Sequence, residues 1–326
     1  MEKASVYVTR RISPVGLDLI LANCNTGIWE KDLPIPREDL LQNVKGIAGL
    51  LSLLSDRIDG AVMDAAGSSL KVISSYSVGV DNIDLAEATR RGIPVGHTPD
   101  VLTDATADFA FALLMAAARR VVEADRYVHA GHWKTWGPST LLGAEVHGAT
   151  LGIIGFGRIG QAVARRASGF GMRVFYHELQ AGSRMIPEGL HAEPVDLDTL
   201  LRESDFVSLH VPLTDQTRRL FNAEQFAKMK PGAILINTAR GPVVDQAALY
   251  DALSSGRLAA AGIDVCDPEP LPMDSPLMKL ENLVIAPHIA SAGKQTRERM
   301  AVMAAENLLA GLRGKTLPHC ANPKVY

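Results

Sequence analysis

Residues 151–166 read LGIIGFGRIGQAVARR, an apolar run that ends in three glycines and leads directly into a helical pattern. Gly155 allows a tight turn out of a strand, Gly157 lets a diphosphate approach the backbone, and Gly160 lets the following helix pack closely on the sheet. The N–H groups and the positive dipole end of that helix then face the phosphates. The stretch therefore predicts a strand, a turn and a helix that together bind a dinucleotide.

A carboxylate follows these glycines at the spacing that dinucleotide-binding units use. Glu178 ends the strand pattern MRVFYHE, and a carboxylate there accepts hydrogen bonds from the ribose hydroxyls and repels a 2′-phosphate. We therefore expect NAD(H) as the favoured coenzyme. Arg184 lies shortly downstream and is a residue type that binds phosphate, so NADP(H) stays open as an alternative.

The composition argues against several other classes of protein. The chain has 326 residues, which suits about two domains, and a formal net charge of −3, which offers no general surface for nucleic acid. Its most apolar helical pattern, residues 109–118, is too short to span a membrane. Three scattered cysteines form no disulfide or metal pattern and favour a cytoplasmic protein: Cys24, Cys266 and Cys320. We expect no metal site, no nucleic-acid partner and no membrane partner.

Short apolar runs alternate with helical patterns along nearly the whole chain. This alternation is typical of βαβ units and predicts an α/β fold with mostly parallel sheets. We predict strands at residues 6–9, 46–51, 72–74, 150–154, 173–177, 206–210, 233–237, 259–264 and 283–286. We predict helices at residues 37–44, 159–170, 223–229 and 245–254, and two longer ones at 103–130 and 296–312.

Two prolines mark the places where we expect the chain to pass between domains. Pro99 and Pro287 each precede one of the two long helical patterns. A chain that leaves one domain, builds a second and then returns would place the glycine motif near its middle. We therefore predict a dinucleotide-binding domain at residues 101–287, inserted between residues 1–100 and 288–326 of the other domain.

Three later segments carry charged or titratable side chains where predicted strands end. Arg240 lies in INTARGPVVD, Glu269 in DVCDPEP and His288 in APHIASA. Open parallel sheets bind ligands at the carboxyl ends of their strands, so these side chains are candidates for one site. Taken singly, each also has an ordinary interpretation, as a helix-capping or surface arginine, a solvated loop acid and a structural histidine.

Together the three residue types match the reduction of a ketone that carries a carboxylate. Hydride transfer to the carbonyl carbon requires a proton donor for the oxygen, and an imidazole is suited to that task. A neighbouring carboxylate would hold the imidazole and favour its protonated form. The planar guanidinium would bind the substrate carboxylate beside the carbonyl group.

The segments IGFGRIG, NTARGPVVD, DVCDPEP and APHIASA resemble the D-isomer-specific 2-hydroxyacid dehydrogenases, and the match extends over nearly the full chain. Within that family, residues 52–59, 71–84, 95–108 and 307–314 are similar to the glyoxylate/hydroxypyruvate reductases. The resemblance implies two doubly wound parallel-sheet domains, with a Rossmann cofactor domain inserted into a flavodoxin-like substrate domain. It also implies NAD(P)H-dependent reduction of glyoxylate or hydroxypyruvate, to glycolate or D-glycerate, by a homodimer held through the cofactor domains.

The resemblance further assigns roles to individual residues. It implies that Arg240, Glu269 and His288 are catalytic, with His288 as the proton donor. Substrate contacts would come from Leu54, Ser77, Val78, Gly79, Arg240, Ser291 and Trp136, the last reaching the partner's active site. Cofactor contacts would come from Gly155, Phe156, Gly157, Arg158, Ile159, Gly160, Glu178, Val211, Pro212, Thr217, Thr238, Ala239 and Asp264.

The chain departs from the pattern of its family at two positions. Many relatives read HIGSA where this chain has HIASA, so Ala290 adds a methyl group close to His288. Several glyoxylate/hydroxypyruvate reductases carry a basic residue at the position of Glu178 and prefer NADPH. The acidic residue at that position puts such a preference in doubt here.

Two alternative functions remain open within the same family. Phosphite dehydrogenases share the fold and a similar YHE strand end, but they place a lysine where this chain has Val78. Corepressors of the family use NAD as a sensor and bind peptides without catalysis. They usually carry extended tails, whereas this chain ends soon after its last predicted helix, at ANPKVY.

Overall fold

The computed structural model describes residues 3–179 and 186–326. The chain divides into two compact units, Met1–Leu102 with Ala292–Tyr326, and Thr103–Ser291. Each unit contains one parallel sheet flanked by helices.

The sequence-based boundary before His288 differs from the boundary in the structure, which comes after Ser291. The difference has a physical reason, because the backbone N–H groups of residues 288–290 all donate to Asp264 of the second unit. His288 therefore belongs to the same unit as the glycine motif.

The first unit has a five-stranded parallel sheet of order β2-β1-β3-β4-β5, which is the flavodoxin-like order. Its strands are β1 (Ser5–Val8), β2 (Asn25–Ile28), β3 (Gly49–Ser52), β4 (Val72–Ser75) and β5 (Val95–Gly96). Its helices are α1 (Pro14–Asn23), α2 (Arg37–Asn43), α3 (Gly60–Ala66), α4 (Leu85–Arg90) and, from the end of the chain, α11 (Lys294–Leu312).

The last helix returns to the first unit through close packing against α1 and the sheet. Gly16 of α1 lies so near Ala301 of α11 that a Cβ at position 16 would overlap the Ala301 backbone. The hydroxyl of Ser74 in β4 donates to the carbonyl of Ala304 at 2.8 Å. These contacts explain why the final helix completes a domain that the chain had left about 190 residues earlier in sequence.

The second unit has a seven-stranded parallel sheet of order β12-β11-β10-β9-β6-β7-β8. Numbered from its own first strand, this is the Rossmann order 3-2-1-4-5-6 with a seventh strand added. Its strands are β6 (Thr150–Ile154), β7 (Arg173–His177), β8 (Glu193–Pro194), β9 (Phe206–Leu209), β10 (Ala233–Asn237), β11 (Leu258–Ile263) and β12 (Leu283–Ile285). Its helices are α5 (Thr103–Ala118), α6 (Val121–His129), α7 (Arg158–Ser168), α8 (Leu197–Glu203), α9 (Ala223–Lys228) and α10 (Gln246–Ser254).

The single long helix predicted at residues 103–130 is wrong, because the structure breaks it at Arg120. Arg120 takes a left-handed backbone conformation, with φ 53°. The carbonyl of Ala118 accepts the N–H of Ala144 at 2.8 Å, so a returning segment caps α5 before the break. Ala144 is distant in sequence from Ala118, so the local pattern at residues 118–121 does not predict the end of the helix.

All nine predicted strands are confirmed, with small shifts at their ends. The structure adds β2, β5 and β8, which the prediction lacks. Two of these are only two residues long, and β2 has no continuous apolar run. All three strands lie at the ends of their sheets' strand orders, and β5 is bridged on its outer side by Cys320 near the end of the chain.

Candidate active site

The glycine turn between β6 and α7 has the backbone that a bound diphosphate requires. Gly155 has φ 88°, and a Cβ there would lie 2.8 Å from the carbonyl oxygen of His210. A Cβ at Gly160 would overlap the carbonyl of Gly155. Gly157 is the N-cap of α7 and has no side chain to occupy the first N–H groups of that helix. The turn therefore fits the phosphates of a dinucleotide.

Glu178 contacts the glycine turn directly. Its Oε1 accepts the backbone N–H of Phe156 at 2.6 Å. The Phe156 ring is fully buried and stacks on Tyr176 with ring centroids 4.1 Å apart, so only its backbone is available at the turn. The carboxylate thus lies at the end of β7 beside the candidate phosphate site. Arg184, the other candidate for this part of the site, lies outside the described residues.

Asn237, the last residue of β10, shapes the turn that carries Arg240. Its Nδ2 donates to the carbonyl of Arg240 and its Oδ1 accepts the N–H of Ala239, both at 3.0 Å. The guanidinium of Arg240 donates to the Ala239 carbonyl at 2.8 Å. The hydroxyl oxygen of Thr238 is buried without a hydrogen-bond partner in the described part of the chain. A buried polar atom without a partner fits a strand end that receives a polar ligand.

Asp264 follows β11 and braces the segment that carries His288. One carboxylate oxygen accepts the N–H of Ile289 and the other that of Ala290, both at 2.7 Å. The Asp264 carbonyl accepts the N–H of His288 at 2.9 Å. Burial raises the pKa of the Asp264 carboxyl, and the two backbone N–H groups oppose that rise. Asp264 was expected to contact the cofactor; in the structure its carboxylate holds the backbone that follows His288.

Glu269 and His288 form a hydrogen-bonded pair at this edge of the sheet. The Nδ1 of His288 lies 2.8 Å from Oε2 of Glu269, and Oε1 of the same carboxylate accepts the N–H of Cys266 at 3.1 Å. Their side chains are 25% and 32% exposed, so the pair is held by protein but open to a ligand. When Nδ1 donates to the carboxylate, Nε2 is left to exchange a proton with a substrate.

The other expected cofactor residues of the second unit lie at or near its strand ends. Thr217 is buried, and its hydroxyl donates to the carbonyl of Pro212 at 2.7 Å, which closes the loop after Val211. Arg158 and Ile159 form the first turn of α7. The Val211 side chain lies beside Gly155 of the glycine turn, whereas Thr217 uses its hydroxyl within its own loop.

In the first unit, the expected substrate residues follow the ends of β3 and β4. The hydroxyl of Ser77 donates to the carbonyl of Gly79 at 2.6 Å, and Nδ1 of His97 lies 3.0 Å from the carbonyl of Val78. Since the C=O and N–H of a trans peptide point in opposite directions, these bonds also fix the direction of the N–H groups of Gly79 and Val80. Leu54 is 36% exposed in the loop after β3.

The remaining expected substrate residues are Trp136 and Ser291. Trp136 is 79% exposed, in the stretch after α6, and Ser291 is the last residue of the second unit. Among residues 3–179 and 186–326, no three His, Cys, Asp or Glu side chains are grouped as metal ligands. In the same residues, every helix is too short or too polar to cross a bilayer.

The fold and the strand-end groups together define a class of protein, the dinucleotide-dependent oxidoreductases. A Rossmann sheet supplies the glycine turn, and an imidazole paired with a carboxylate lies at the same edge.

The chain belongs to the D-isomer specific 2-hydroxyacid dehydrogenase family. The model of the NAD binding domain of that family matches residues 111–290. The chain is 54% identical to a glyoxylate reductase of Korarchaeum cryptofilum over 324 residues, which cover 99% of this chain and 97% of that protein. It is 50% identical to a glyoxylate reductase of Thermofilum pendens over 330 residues, which cover 100% and 96%. A crystal structure of a protein from Thermus thermophilus, 52% identical, superposes with a TM-score of 0.90 and covers 97% of this chain and 99% of its own.

Three side chains that shape the site are absent from the sequence-based predictions: Asn237, Gln246 and His210. Asn237 had a local signal, because an asparagine that ends an apolar strand commonly bonds the backbone two residues on. The carboxamide of Gln246 and the imidazole of His210 had no such signal, since their contacts are with residues distant in sequence or depend on burial.

His210 lies directly after β9 and packs its backbone against Gly155 of the glycine turn. Its Nε2 is 2.8 Å from the hydroxyl of Ser208. Burial lowers the pKa of the His210 imidazole from 6.5 to about 3. The side chain is therefore uncharged at neutral pH.

The depressed pKa of His210 predicts a loss of stability in acid. Between pH 6.5 and about 3 the unfolded chain binds a proton at this residue and the folded protein does not, so the folded state loses stability as the pH falls. As the pH falls below 6.5, the free energy of unfolding of the wild type should decrease more steeply than that of His210→Gln, by up to about 1.4 kcal/mol per pH unit. Urea titrations from pH 7 to pH 5 measure this difference. The control is the exposed-residue variant His147→Gln, which should follow the wild type. Equal slopes of unfolding free energy against pH for the wild type and His210→Gln would contradict the prediction.

Proposed function

We propose that the protein reduces glyoxylate to glycolate with a nicotinamide coenzyme. The observation that carries this proposal is the pair of Glu269 and His288 at the same sheet edge as the glycine turn. Full-length similarity to glyoxylate reductases supports glyoxylate as the substrate. Hydroxypyruvate carries the same 2-keto acid group, and we propose its reduction to D-glycerate as a second activity.

His288 is the proposed proton donor. The coenzyme, when bound, supplies the hydride that adds to the carbonyl carbon of the substrate. The imidazole gives a proton to the carbonyl oxygen, which becomes the hydroxyl of the 2-hydroxy acid. Glu269 keeps Nδ1 of His288 occupied, so the proton that is transferred comes from Nε2. The guanidinium of Arg240 binds the substrate carboxylate as a bidentate partner.

The first unit contributes further proposed substrate contacts. The N–H groups of residues 77–79 would bind the carboxylate, and the side chain of Leu54 would contact the carbon end of a small substrate. Hydrogen bonds to the Ser77 and Val78 carbonyls fix the N–H groups of Val78 and Gly79, which supports this proposal. We accordingly propose that the first unit is the substrate domain and the second unit the coenzyme domain. The free thiols of Cys24, Cys266 and Cys320 support a cytoplasmic location.

We propose NAD(H) rather than NADP(H) as the preferred coenzyme. The contact between Glu178 and the N–H of Phe156 supports a carboxylate fixed beside the ribose position. A negative charge there repels a 2′-phosphate and accepts hydrogen bonds from a free hydroxyl. The glycine turn would hold the diphosphate, together with the start of α7 at Arg158 and Ile159.

We also propose that the protein is a homodimer held through the second unit. Helix α6 is amphipathic but buries none of its residues. Apolar side chains on α6 and the stretch that follows are strongly exposed, at 79% for Trp136 and 63% for Trp133. Val121, Val128 and Leu142 add to this surface. An exposed apolar surface of this kind supports an interface with a second copy, in which Trp136 would reach the partner's active site.

The dimer proposal predicts a change of mass in a tryptophan variant. Replacing Trp133 and Trp136 with serine removes two aromatic anchors, each expected to contribute about 2 kcal/mol or more to association. Light scattering after gel filtration should give twice the 34.9 kDa chain mass for the wild type and the mass of one chain for the variant at low concentration. Leu33, 66% exposed in the first unit, provides the control Leu33→Ser, which should remain dimeric. A monomeric wild type would contradict the proposal.

The proposed reaction predicts the effect of removing the imidazole. His288→Asn should lower kcat for glyoxylate reduction by roughly 10²–10⁴-fold, because the proton donor is lost. Steady-state oxidation of NADH with glyoxylate, hydroxypyruvate or pyruvate measures this, and the exposed-residue variant His191→Asn is the control. NAD reduction that occurs only with phosphite would favour the phosphite dehydrogenase alternative. Binding of NAD without turnover of any of these substrates would favour the corepressor alternative.

The coenzyme proposal predicts a change in selectivity when Glu178 loses its charge. Glu178→Gln keeps an acceptor for the Phe156 N–H and removes the repulsion of a 2′-phosphate. We expect the ratio of kcat/KM for NADH to that for NADPH to fall by about tenfold or more. The control is Glu193→Gln, which removes an exposed carboxylate from the neighbouring strand β8. An unchanged ratio in Glu178→Gln would remove this role for the residue.

A further inference from the structure

Gln246 is a polar residue beside the site to which neither the motifs nor the proposed chemistry gives a role. It is the first residue of α10 and follows the turn that carries Arg240. The carboxylate of Asp245 accepts the N–H groups of Ala247 and Ala248 at 3.0 and 3.2 Å, so the helix start is already capped. The side chain of Gln246 is therefore not needed for capping and is available for another contact.

The carboxamide of Gln246 bonds both polar backbone groups of Asp267. Its Oε1 accepts the N–H of Asp267 at 3.0 Å, and its Nε2 donates to the carbonyl of the same residue. One carboxamide thus pairs with the donor and the acceptor of one residue, which fixes the orientation of the backbone as well as its position. The contact joins the start of α10 to the loop after β11.

The loop held in this way carries Glu269. Residues 267–270 are exposed, so contacts to the rest of the protein have to fix their position. A second anchor lies beside the first, because Gly241 packs so closely on Cys266 that any Cβ at position 241 would overlap the Cys266 carbonyl. Both contacts attach the loop to residues 241–246, which follow Arg240.

The backbone orientation at Asp267 affects where the Glu269 carboxylate lies. The N–H of Cys266, one peptide earlier, donates to Oε1 of Glu269 at 3.1 Å, while Oε2 lies 2.8 Å from Nδ1 of His288. Rotation of the chain at Asp267 would displace both the Cys266 N–H and the Glu269 side chain. The loop can keep both bonds to the carboxylate only while its backbone stays in this orientation.

We propose that Gln246 is a positioning residue, whose carboxamide holds the loop after β11 so that Glu269 stays bonded to His288. The proposal rests on the proposed function, in which Glu269 orients the proton donor. The proposal goes further because Gln246 contacts neither Glu269 nor His288 directly and acts on their geometry through the loop.

The test replaces the carboxamide with an apolar group of similar length. Gln246→Met should lower kcat for glyoxylate reduction by about 3- to 10-fold, because the loop loses both of its solvent-exposed hydrogen bonds to the carboxamide. The KM for glyoxylate should not change, because Asn237 still holds the turn of Arg240. Gln246→Asn keeps an amide on a shorter side chain and should lose kcat to a similar extent. Melting temperatures of all variants show whether they fold.

The matched control is a glutamine near the start of the neighbouring helix. Gln225 belongs to the capping box of α9, where its side chain accepts the N–H of Asn222 rather than bonding the loop of Glu269. Gln225→Met should therefore leave kcat unchanged, although it removes a capping contact. A fall in kcat as large as that of Gln246→Met would overturn the proposal.

A double-mutant cycle separates positioning from general damage. If Gln246 acts only through Glu269, then Gln246→Met in a Glu269→Gln background should have the same kcat as Glu269→Gln alone. An equal loss in both backgrounds, or a folded Gln246→Met enzyme with full kcat, would overturn the proposal. Wild-type kcat in Glu269→Gln would instead overturn the proposed role of Glu269, so the two failures are distinguishable.

Discussion

The buried carboxylate of Asp264 is the group on which the rest of the candidate site depends. Its two oxygens accept the N–H groups of Ile289 and Ala290. The backbone carbonyl of Asp264 accepts the N–H of His288. His288 has a φ of 57°, a left-handed conformation that costs a residue with a side chain about 1–2 kcal/mol. The three hydrogen bonds to Asp264 offset that cost and fix the position of the His288 backbone, from which the imidazole extends.

From Asp264 the contacts extend to the neighbouring strand ends. Its N–H donates to the carbonyl of Asn237 at 2.9 Å, and Asn237 in turn holds the turn of Arg240. On the other side, Glu269 bonds His288, and its loop is attached to the stretch that follows Arg240. Residues far apart in sequence therefore belong to one hydrogen-bond network, because parallel strands bring their carboxyl ends to one edge of the sheet.

Much of this arrangement could be predicted from the sequence where the deciding forces are local. Apolar runs buried on both faces identify nine strands, and three glycines in sequence identify the turn. The break at Arg120 could not be predicted, because a returning segment at Ala144 caps the helix before it. The low pKa of His210 depends on burial, and the contact of Gln246 depends on a loop 21 residues away, so neither has a local pattern.

The most direct test determines which ring nitrogen of His288 carries the proton. In protein labelled with ¹⁵N-histidine, NMR resonances of His288 are identified by their loss in His288→Asn. We predict that the neutral imidazole carries its proton on Nδ1, where Glu269 accepts it, and that Glu269→Gln shifts the population toward the Nε2 tautomer. A neutral imidazole protonated at Nε2 in the wild type, unaffected by Glu269→Gln, would contradict the central claim.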